Sequence, residues 1–184
     1  MKIIGINTSP RENSNCEIAL KKALEAAESK GADTEIINTN KLNITACQAD
    51  NYCKEHEGKC AIDDDMTQIY KAIEEADGVI LSAPVYFFDV NAQAKLVIDR
   101  LYSYFMFPFA ETYGKKNFSM IVSQGTPDEG AFKQTIDVQV NAFGFLGFEV
   151  KDVVVLTDNN VPAAVADKED QLAKVVELGE NIVN

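Results

Sequence analysis

Apolar runs of strand length alternate with amphipathic stretches of helix length along the whole chain. This alternation constrains the fold more than any other feature of the sequence. Lys2–Asn7 reads as a first strand. From about Ser14 to Lys30, Leu20, Ala23, Leu24 and Ala27 share one face of a helix that ends at Gly31. Thr34–Ile37 is a second strand. Met66, Ile69, Tyr70 and Ile73 mark a second helix, and Gly78–Ser82 a third, apolar strand. Ala94, Val97, Ile98, Leu101 and Phe105 lie at helical spacing in a third helix that begins near Asn91. Phe118–Ser123 is a fourth strand. Thr126-Pro127-Asp128-Glu129 has the form of a helix start, with Thr as N-cap, Pro next and Glu three after the cap. Phe148–Leu156 is a fifth strand, and a last helix carries Leu172, Val175, Val176 and Gly179 on one face.

Such alternation predicts an α/β fold, a five-stranded parallel sheet with helices on both faces in a three-layer sandwich. Five strands fit the flavodoxin-like order 2-1-3-4-5 better than the six-stranded dinucleotide fold. No internal repeat or low-complexity linker divides residues 1–184. The expectation is one domain with a polar, cysteine-bearing insertion at about 38–65.

Ligands of such sheets sit beyond the carboxyl ends of the strands, at the switch between strands 1 and 3. The loops Thr8–Cys16, Ala83–Asn91 and Ser123–Thr126 are expected to meet there. The first runs Gly5-Ile-Asn-Thr-Ser-Pro-Arg-Glu-Asn-Ser-Asn-Cys16. It lacks the repeated glycines of a dinucleotide fingerprint and the Gly-Lys-Ser/Thr of a P-loop. It suits a phosphate monoester at a helix N-terminus, where free N–H groups and the positive dipole end face the anion. Ser9 and Asn15 are candidate donors and Arg11 a candidate ion-pair partner. Ser14-x-x-Glu17 is also a capping box, so the same polar residues serve to start a helix. The second loop combines Pro84 with three consecutive aromatics, Tyr86, Phe87 and Phe88, a pairing of backbone donors and apolar faces that suits a flat heteroaromatic ring. An aromatic run after a strand also serves as plain core. The third loop, Ser123-Gln124-Gly125-Thr126, is small enough to approach a ring edge closely.

The bulk numbers narrow the class. A chain of 184 residues buries roughly 70% of its unfolded surface and needs no staples. No apolar run approaches the ~20 residues of a membrane span. The sequence opens directly into a strand pattern without a signal-peptide core, so a cytoplasmic protein is expected. A net charge of −12 argues against nucleic acid and anionic membranes as partners. It leaves anionic small molecules open, because local donors outweigh a distant, screened field.

The motifs Ser9-Pro10-Arg11-x-x-Ser14-Asn15-Cys16 and Pro84-Val85-Tyr86-Phe87 together resemble the NADPH-dependent FMN reductase and iron–sulfur flavoprotein family, which has a flavodoxin-like fold. The resemblance continues through Ala92-Gln-Ala-Lys95-Leu-Val-Ile-Asp99-Arg100 and covers the first two-thirds of the chain well. It implies that Ser9, Arg11, Asn15 and Cys16 hold an FMN phosphate. It also implies that Pro84, Val85, Tyr86 and Phe87 lie against the isoalloxazine and ribityl chain, with Ser123, Gln124 and Gly125 reaching the ring. The chain departs from the family at three points. Thr8 stands where Gly is usual. Cys16 replaces a common Thr or Ser, which turns a hydroxyl donor into a weak thiol donor and lowers affinity without abolishing it. Phe88-Asp89 replaces Gly-Asn and narrows the way in for a nicotinamide.

Cys47, Cys53 and Cys60 fall in the insertion. Iron–sulfur members of the family carry C-x2-C-x2-C there, with a fourth Cys some residues later; here Asp50 occupies the second position. Clusters are usually held by four thiolates. The alternatives are no metal at all, an iron–sulfur cluster with Asp50 as fourth ligand or with three irons, zinc on Cys47, Cys53, His56 and Cys60, and redox-active or disulfide-forming thiols.

The resemblance implies an FMN-dependent oxidoreductase that takes a hydride from NAD(P)H and reduces a quinone, an azo or nitro compound, or free flavin. The cofactor carries the chemistry, so no catalytic acid or base is assigned. The alternative is an iron–sulfur/flavin electron-transfer protein that exchanges electrons with ferredoxin. A phospho-receiver is disfavoured, because the first strand ends in Ile6-Asn7-Thr8 with no carboxylate pair. The apolar residues after Asn91 and in Tyr102–Phe109 exceed what one cleft needs, which predicts a homo-oligomer, a dimer or tetramer.

Overall fold

The computed structural model describes residues 1–184. Five parallel strands form one sheet: β1 (Lys2–Asn7), β2 (Asp33–Asn38), β3 (Gly78–Tyr86), β4 (Asn117–Ser123) and β5 (Glu149–Leu156). Their order is β2-β1-β3-β4-β5, as the alternation predicts. Asn7 pairs with Ser82 across β1 and β3, and Pro84 with Ser123 across β3 and β4, so the three carboxyl ends are brought to one edge. Five helices cover the sheet: α1 (Asn15–Ser29), α2 (Met66–Glu75), α3 (Ala92–Arg100), α4 (Lys133–Phe145) and α5 (Glu169–Asn181). None is long and apolar enough to cross a membrane.

Period-two side-chain alternation divides the core between the two faces. Ile4, Ile6, Val79, Leu81, Met120 and Val122 pack under α2, α3 and α4. Ile3, Ile80, Ile121 and Leu156 pack under α1 and α5. The central strands are buried on both faces, which explains their unbroken apolar runs.

α1 begins where Ser14 Oγ accepts from the Glu17 N–H at 3.1 Å. It ends in a Schellman motif, with Gly31 N–H on the Glu28 carbonyl, Ala32 N–H on the Ala27 carbonyl, and Gly31 at φ +91°. At the crossing of α1 and α5, Gly179 lies against the Ala23 backbone; a Cβ there would stand 2.1 Å from the Ala23 carbonyl oxygen.

Three expectations are corrected. β3 does not end at Ser82 but continues to Tyr86, and a two-residue strand, Asp89–Val90, folds back antiparallel on its tip. The turn between them is Phe87-Phe88, at φ +44° and +75°. A two-residue hairpin with both central residues at positive φ ordinarily takes Gly or Asn. Phe87 is 96% and Phe88 70% exposed. The helix expected at Thr126 begins at Lys133 instead. The Thr126 carbonyl accepts from Asp158 N–H, and the Asp128 carbonyl from Gln124 Nε2, so the groups that would open a helical ladder are already bonded. α3 stops at Arg100 and passes into a short 3-10 turn, Leu101–Tyr104, so Phe105 lies outside the helix. Of the aromatic segment, Tyr104 and Phe109 are core, whereas Tyr102 and Met106 are exposed.

Candidate functional site

The loops after β1, β3, β4 and β5 enclose a crevice of about 230 Å3. Its walls are Ser9, Arg11, Ser14, Asn15 and Cys16 from the first loop, Pro84, Val85 and Tyr86 from the second, and Ser123 and Gly125 from the third. Nine of the residues named from the sequence therefore meet in one place. Two do not: Phe87 is the exposed tip of the hairpin, and Gln124 is buried; neither lines the crevice.

The phosphate-type end is built by the start of α1. The backbone N–H groups of Asn15 and Cys16 take no backbone partner, and Ser14 has one free hydroxyl hydrogen beside them. None of the ion pairs in the structure involves Arg11. Its guanidinium lies 5.9 Å over the Tyr86 ring, which leaves its charge available at the rim. The loop itself is fixed from below. Thr8 Oγ1 donates to the Ser82 carbonyl at 2.9 Å, and Asn91 Nδ2, from the N-cap of α3, donates to the Thr8 carbonyl at 2.6 Å. Thr8 thus has a structural task that a glycine cannot perform.

Asn15 carries a different task from the one expected. Its side-chain amide donates to the Asn159 and Val161 carbonyls at 3.3 and 2.9 Å and accepts from Val165 N–H at 2.9 Å. Both amide hydrogens are used, so only its backbone N–H is left for an anion. The Cys16 side chain is buried beside the Ser82 hydroxyl and the Ser123 backbone; burial pushes its thiol up to about 12, so it stays protonated.

The fourth wall, Asn159, Asn160 and Pro162, was not foreseen. The signal available was the turn-forming run Asp158-Asn-Asn-Val-Pro162 directly after β5, at the same sheet edge. Asn160 Nδ2 donates to the Gly125 carbonyl at 2.9 Å, and a Cβ on residue 125 would lie 2.3 Å from Asn160 Oδ1. A larger residue at 125 would have to turn the Asn160 side chain aside. Asn159 Nδ2 bonds Gln171, but its buried Oδ1 has no partner. An orphaned acceptor costs stability unless a ligand donor meets it.

A second enclosure lies under the insertion. Cys47, Asp50, Cys53 and Cys60 line one cavity together with Arg100 and Ser103. Its open volume is about 10 Å3, room for about one water. Arg100 ties the insertion to α3: Nη1 bonds Asp64 Oδ2 at 2.7 Å and the Thr45 carbonyl at 2.8 Å, and Nη2 bonds Asp64 Oδ1 at 3.2 Å. Burial pushes the Asp64 carboxyl up, but hydrogen bonds from Arg100 and from the Thr45 and Met66 amides outweigh it and hold the group below its ordinary value. Arg100 Nε and Ser103 Oγ are buried and have no partner. His56 stacks on Tyr52 with ring centroids 3.5 Å apart and is not part of the cavity wall. No three His, Cys, Asp or Glu side chains converge on the position of a single ion, so the four-ligand zinc arrangement with His56 is not formed.

The profile of the family described as NADPH-dependent FMN reductase matches residues 1–160. The chain belongs to the NADPH-dependent FMN reductase family. An iron–sulfur flavoprotein of Archaeoglobus fulgidus is 32% identical over 184 residues, covering 99% of this chain and 79% of that one. An iron–sulfur flavoprotein of Methanocaldococcus jannaschii is 46% identical over 100 residues, 54% of this chain and 51% of the relative. In that relative, and in one from Methanosarcina thermophila, the matched part of the chain spans about half the length. Among solved structures, an NAD(P)H:quinone oxidoreductase from Methanothermobacter marburgensis superposes with a TM-score of 0.78 at 17% identity, covering 100% of this chain and 98% of that one. An FMN-dependent NADH-azoreductase from Bacillus anthracis, in complex with FMN, gives 0.73 at 16% identity with both chains fully covered. These likenesses establish the flavodoxin-like fold.

The crevice of this FMN reductase family member fits the cofactor of the family name. Unpaired amides at a helix N-terminus and a free arginine suit a phosphate. The orphaned Asn159 Oδ1 suits a hydroxyl of a polyol chain, and Pro84, Val85 and Tyr86 offer a wall for a flat ring.

Proposed function

We propose that this chain is an FMN-dependent oxidoreductase that takes a hydride from NAD(P)H and reduces a small acceptor, a quinone, an azo or nitro compound, or free flavin. The observation that carries this reading is the pairing, in one crevice, of the α1 amides and Arg11 with the Pro84–Tyr86 wall. FMN, when bound, supplies the ring that accepts and donates electrons. Arg11, Ser9, Ser14 and the Asn15 and Cys16 amides hold its phosphate. Val85 and Tyr86 shield one side of the ring from water, and Ser123 and Gly125 approach its edge. Neither Asp nor Glu lines the crevice, and the sole His lies in the insertion, so no side chain is assigned proton transfer. The whole of 1–184 acts as one FMN-binding domain, in the cytoplasm.

Arg11→Ala is expected to weaken FMN binding by about 10- to 100-fold, the loss of one charged hydrogen-bond partner at about 1.5–3 kcal/mol. Flavin-fluorescence quenching on the apoprotein measures it; unchanged affinity would remove Arg11 from the site. Cys16→Thr is expected to tighten FMN about 2- to 10-fold by restoring a hydroxyl near the α1 terminus. The same titration, if flat between the two proteins, shows that the side chain plays no part.

A second reading is favoured by the thiol cavity: an electron-transfer protein with an iron–sulfur cluster on Cys47, Cys53 and Cys60, with Asp50 as fourth ligand, serving a redox protein such as ferredoxin. The donor set fits such a group. Half-buried Cys53 and Cys60 and exposed Cys47 line the same wall, and the orphaned Arg100 Nε and Ser103 Oγ are donors suited to sulfur anions. Ligands of a cluster bond different irons, so they need not converge on one point. Anaerobic addition of NADH or NADPH to the FMN-loaded protein separates the readings. Bleaching of the flavin band within a turnover supports the first. Bleaching only by a one-electron donor supports the second.

We also infer that the chain works as a homo-oligomer through the groove between α3 and α4, where Ile98, Tyr102, Phe105, Val138 and Phe145 expose about 600 Å3 of apolar space. A monomer peak in sedimentation that does not change with concentration would refute it.

A further inference from the structure

Half-buried Cys60 borders two different spaces. One is the small cavity under the insertion, whose wall it shares with Cys53, Arg100 and Ser103. The other is a pocket of about 280 Å3, walled also by Lys59, Tyr70, Lys71 and Glu74. Neither Cys47 nor Cys53 lines that pocket. A small polar molecule can therefore reach Cys60 from the open side, while the closed side carries unused donors. Arg100 Nε and Ser103 Oγ have no partner, in residues 2% and 3% exposed. Buried donors without an acceptor cost stability. Room for about one water is also room for one oxygen atom on a side chain. Burial works against the Arg100 charge, and Asp64, Tyr70 and Cys60 support it. The chain itself brings in the second thiol. The Cys53 carbonyl accepts from Gly58 N–H at 3.0 Å and the His56 carbonyl from Lys59 N–H at 2.9 Å. Glu57 and Gly58 sit at φ +53° and +76°. These turns fold the segment back on itself and bring Cys53 and Cys60 into one wall.

We propose that Cys60 is a site of oxidation by small hydroperoxides. Arg100 Nε and Ser103 Oγ hold its sulfenic oxygen, and Cys53 resolves it to a disulfide. In the first step the Cys60 sulfur attacks one oxygen of hydrogen peroxide. The O–O bond breaks, an S–O bond forms, and the other oxygen leaves as water with the thiol proton. Cys60 is oxidised by two electrons and the peroxide is reduced by two. In the second step the Cys53 sulfur attacks the Cys60 sulfur. The S–O bond breaks, an S–S bond forms, and hydroxide leaves as water with the Cys53 proton. A dithiol such as dithiothreitol returns both thiols and is itself oxidised to its cyclic disulfide. Both cysteines are free thiols in this chemistry, so it competes with a cluster on them, and it needs no bound flavin. The insertion then responds reversibly to peroxide, through a bond that closes the loop between residues 53 and 60.

The test treats the full chain with hydrogen peroxide, alkylates the remaining thiols and maps the peptides by mass spectrometry. The expected product is a Cys53–Cys60 disulfide that dithiothreitol reverses. In Cys53→Ser, treated in the presence of dimedone, the sulfenic adduct is expected on Cys60. Adding Ser103→Ala to that variant is expected to slow adduct formation about 2- to 10-fold, the effect of losing one hydrogen bond. The mapping of the unaltered chain stands whether or not the variants fold. Oxidation concentrated on exposed Cys47, as adduct or disulfide, overturns the choice of Cys60. An unchanged rate in the Ser103 variant overturns the role of that donor. Thiols that stay reduced at peroxide concentrations that oxidise free cysteine overturn the site. Iron and acid-labile sulfide that copurify with the chain and block alkylation of all three cysteines overturn it in favour of a cluster.

Discussion

Arg100→Met will destabilise the protein by about 3–5 kcal/mol, the usual cost of removing one partner from a buried ion pair. The Arg100 and Asp64 side chains are 1% and 5% exposed. Loss of the guanidinium strands the Asp64 carboxylate and also frees the Thr45 carbonyl. Urea denaturation will show the lower midpoint, and limited proteolysis will show the insertion cut first, because Arg100 is its main tie to α3. A second substitution, Asp64→Leu, is expected to restore much of the loss, since the double variant leaves no unpaired charge. If the double variant is as unstable as the single, the contribution of Arg100 lies in packing. Acid should act in the same direction. Asp64 is held below its ordinary value in the folded state, so its stabilising contribution is present above the unfolded carboxylate range and is lost as pH falls through its lowered value.

Gly179→Ala is the second large effect, and its sign runs against helix propensity. In an exposed helix this change gains about 1 kcal/mol. Here the new Cβ meets the Ala23 carbonyl oxygen at 2.1 Å and its carbonyl carbon at 2.8 Å. Backbone cannot rotate aside as a side chain would, so α1 and α5 must separate along their crossing. Overpacking of this kind costs about 1–3 kcal/mol and occasionally more. Thermal denaturation measures it. Ala23→Gly should give no rescue, because the obstruction is the main chain of residue 23. A rescue would show that the helices are held apart by side chains.

The sheet was legible in the sequence because β1, β3 and β4 are buried on both faces and leave unbroken apolar runs, while Ser14 and Gly31 mark the ends of α1 by local chemistry. What was hidden depends on distant partners. Thr126-Pro127-Asp128-Glu129 satisfies every local rule for a helix start, yet Asp158 takes the Thr126 carbonyl from across the sheet edge. The Phe87-Phe88 turn breaks the local rule for its own conformation, so no reading of turn residues could find it. In the crevice, Ser9, Arg11, Pro84 and Tyr86 were found because they belong to loops next to their strands. Asn159 and Asn160 were missed because they are tied to Asn15 and Gly125, which carry no sequence signature for a partner so far along the chain.

That long-range bracing of Asn15 bears on when the protein can first hold its cofactor. The partners of its side chain lie 144, 146 and 150 residues later. At about 5–20 residues per second, a ribosome needs roughly 7–30 s to travel that interval. Through that time the nascent chain carries the anion-binding amides on an unsupported loop. On the FMN reading, the anion-binding loop is expected to reach its braced form only after residues 159–165 have been made.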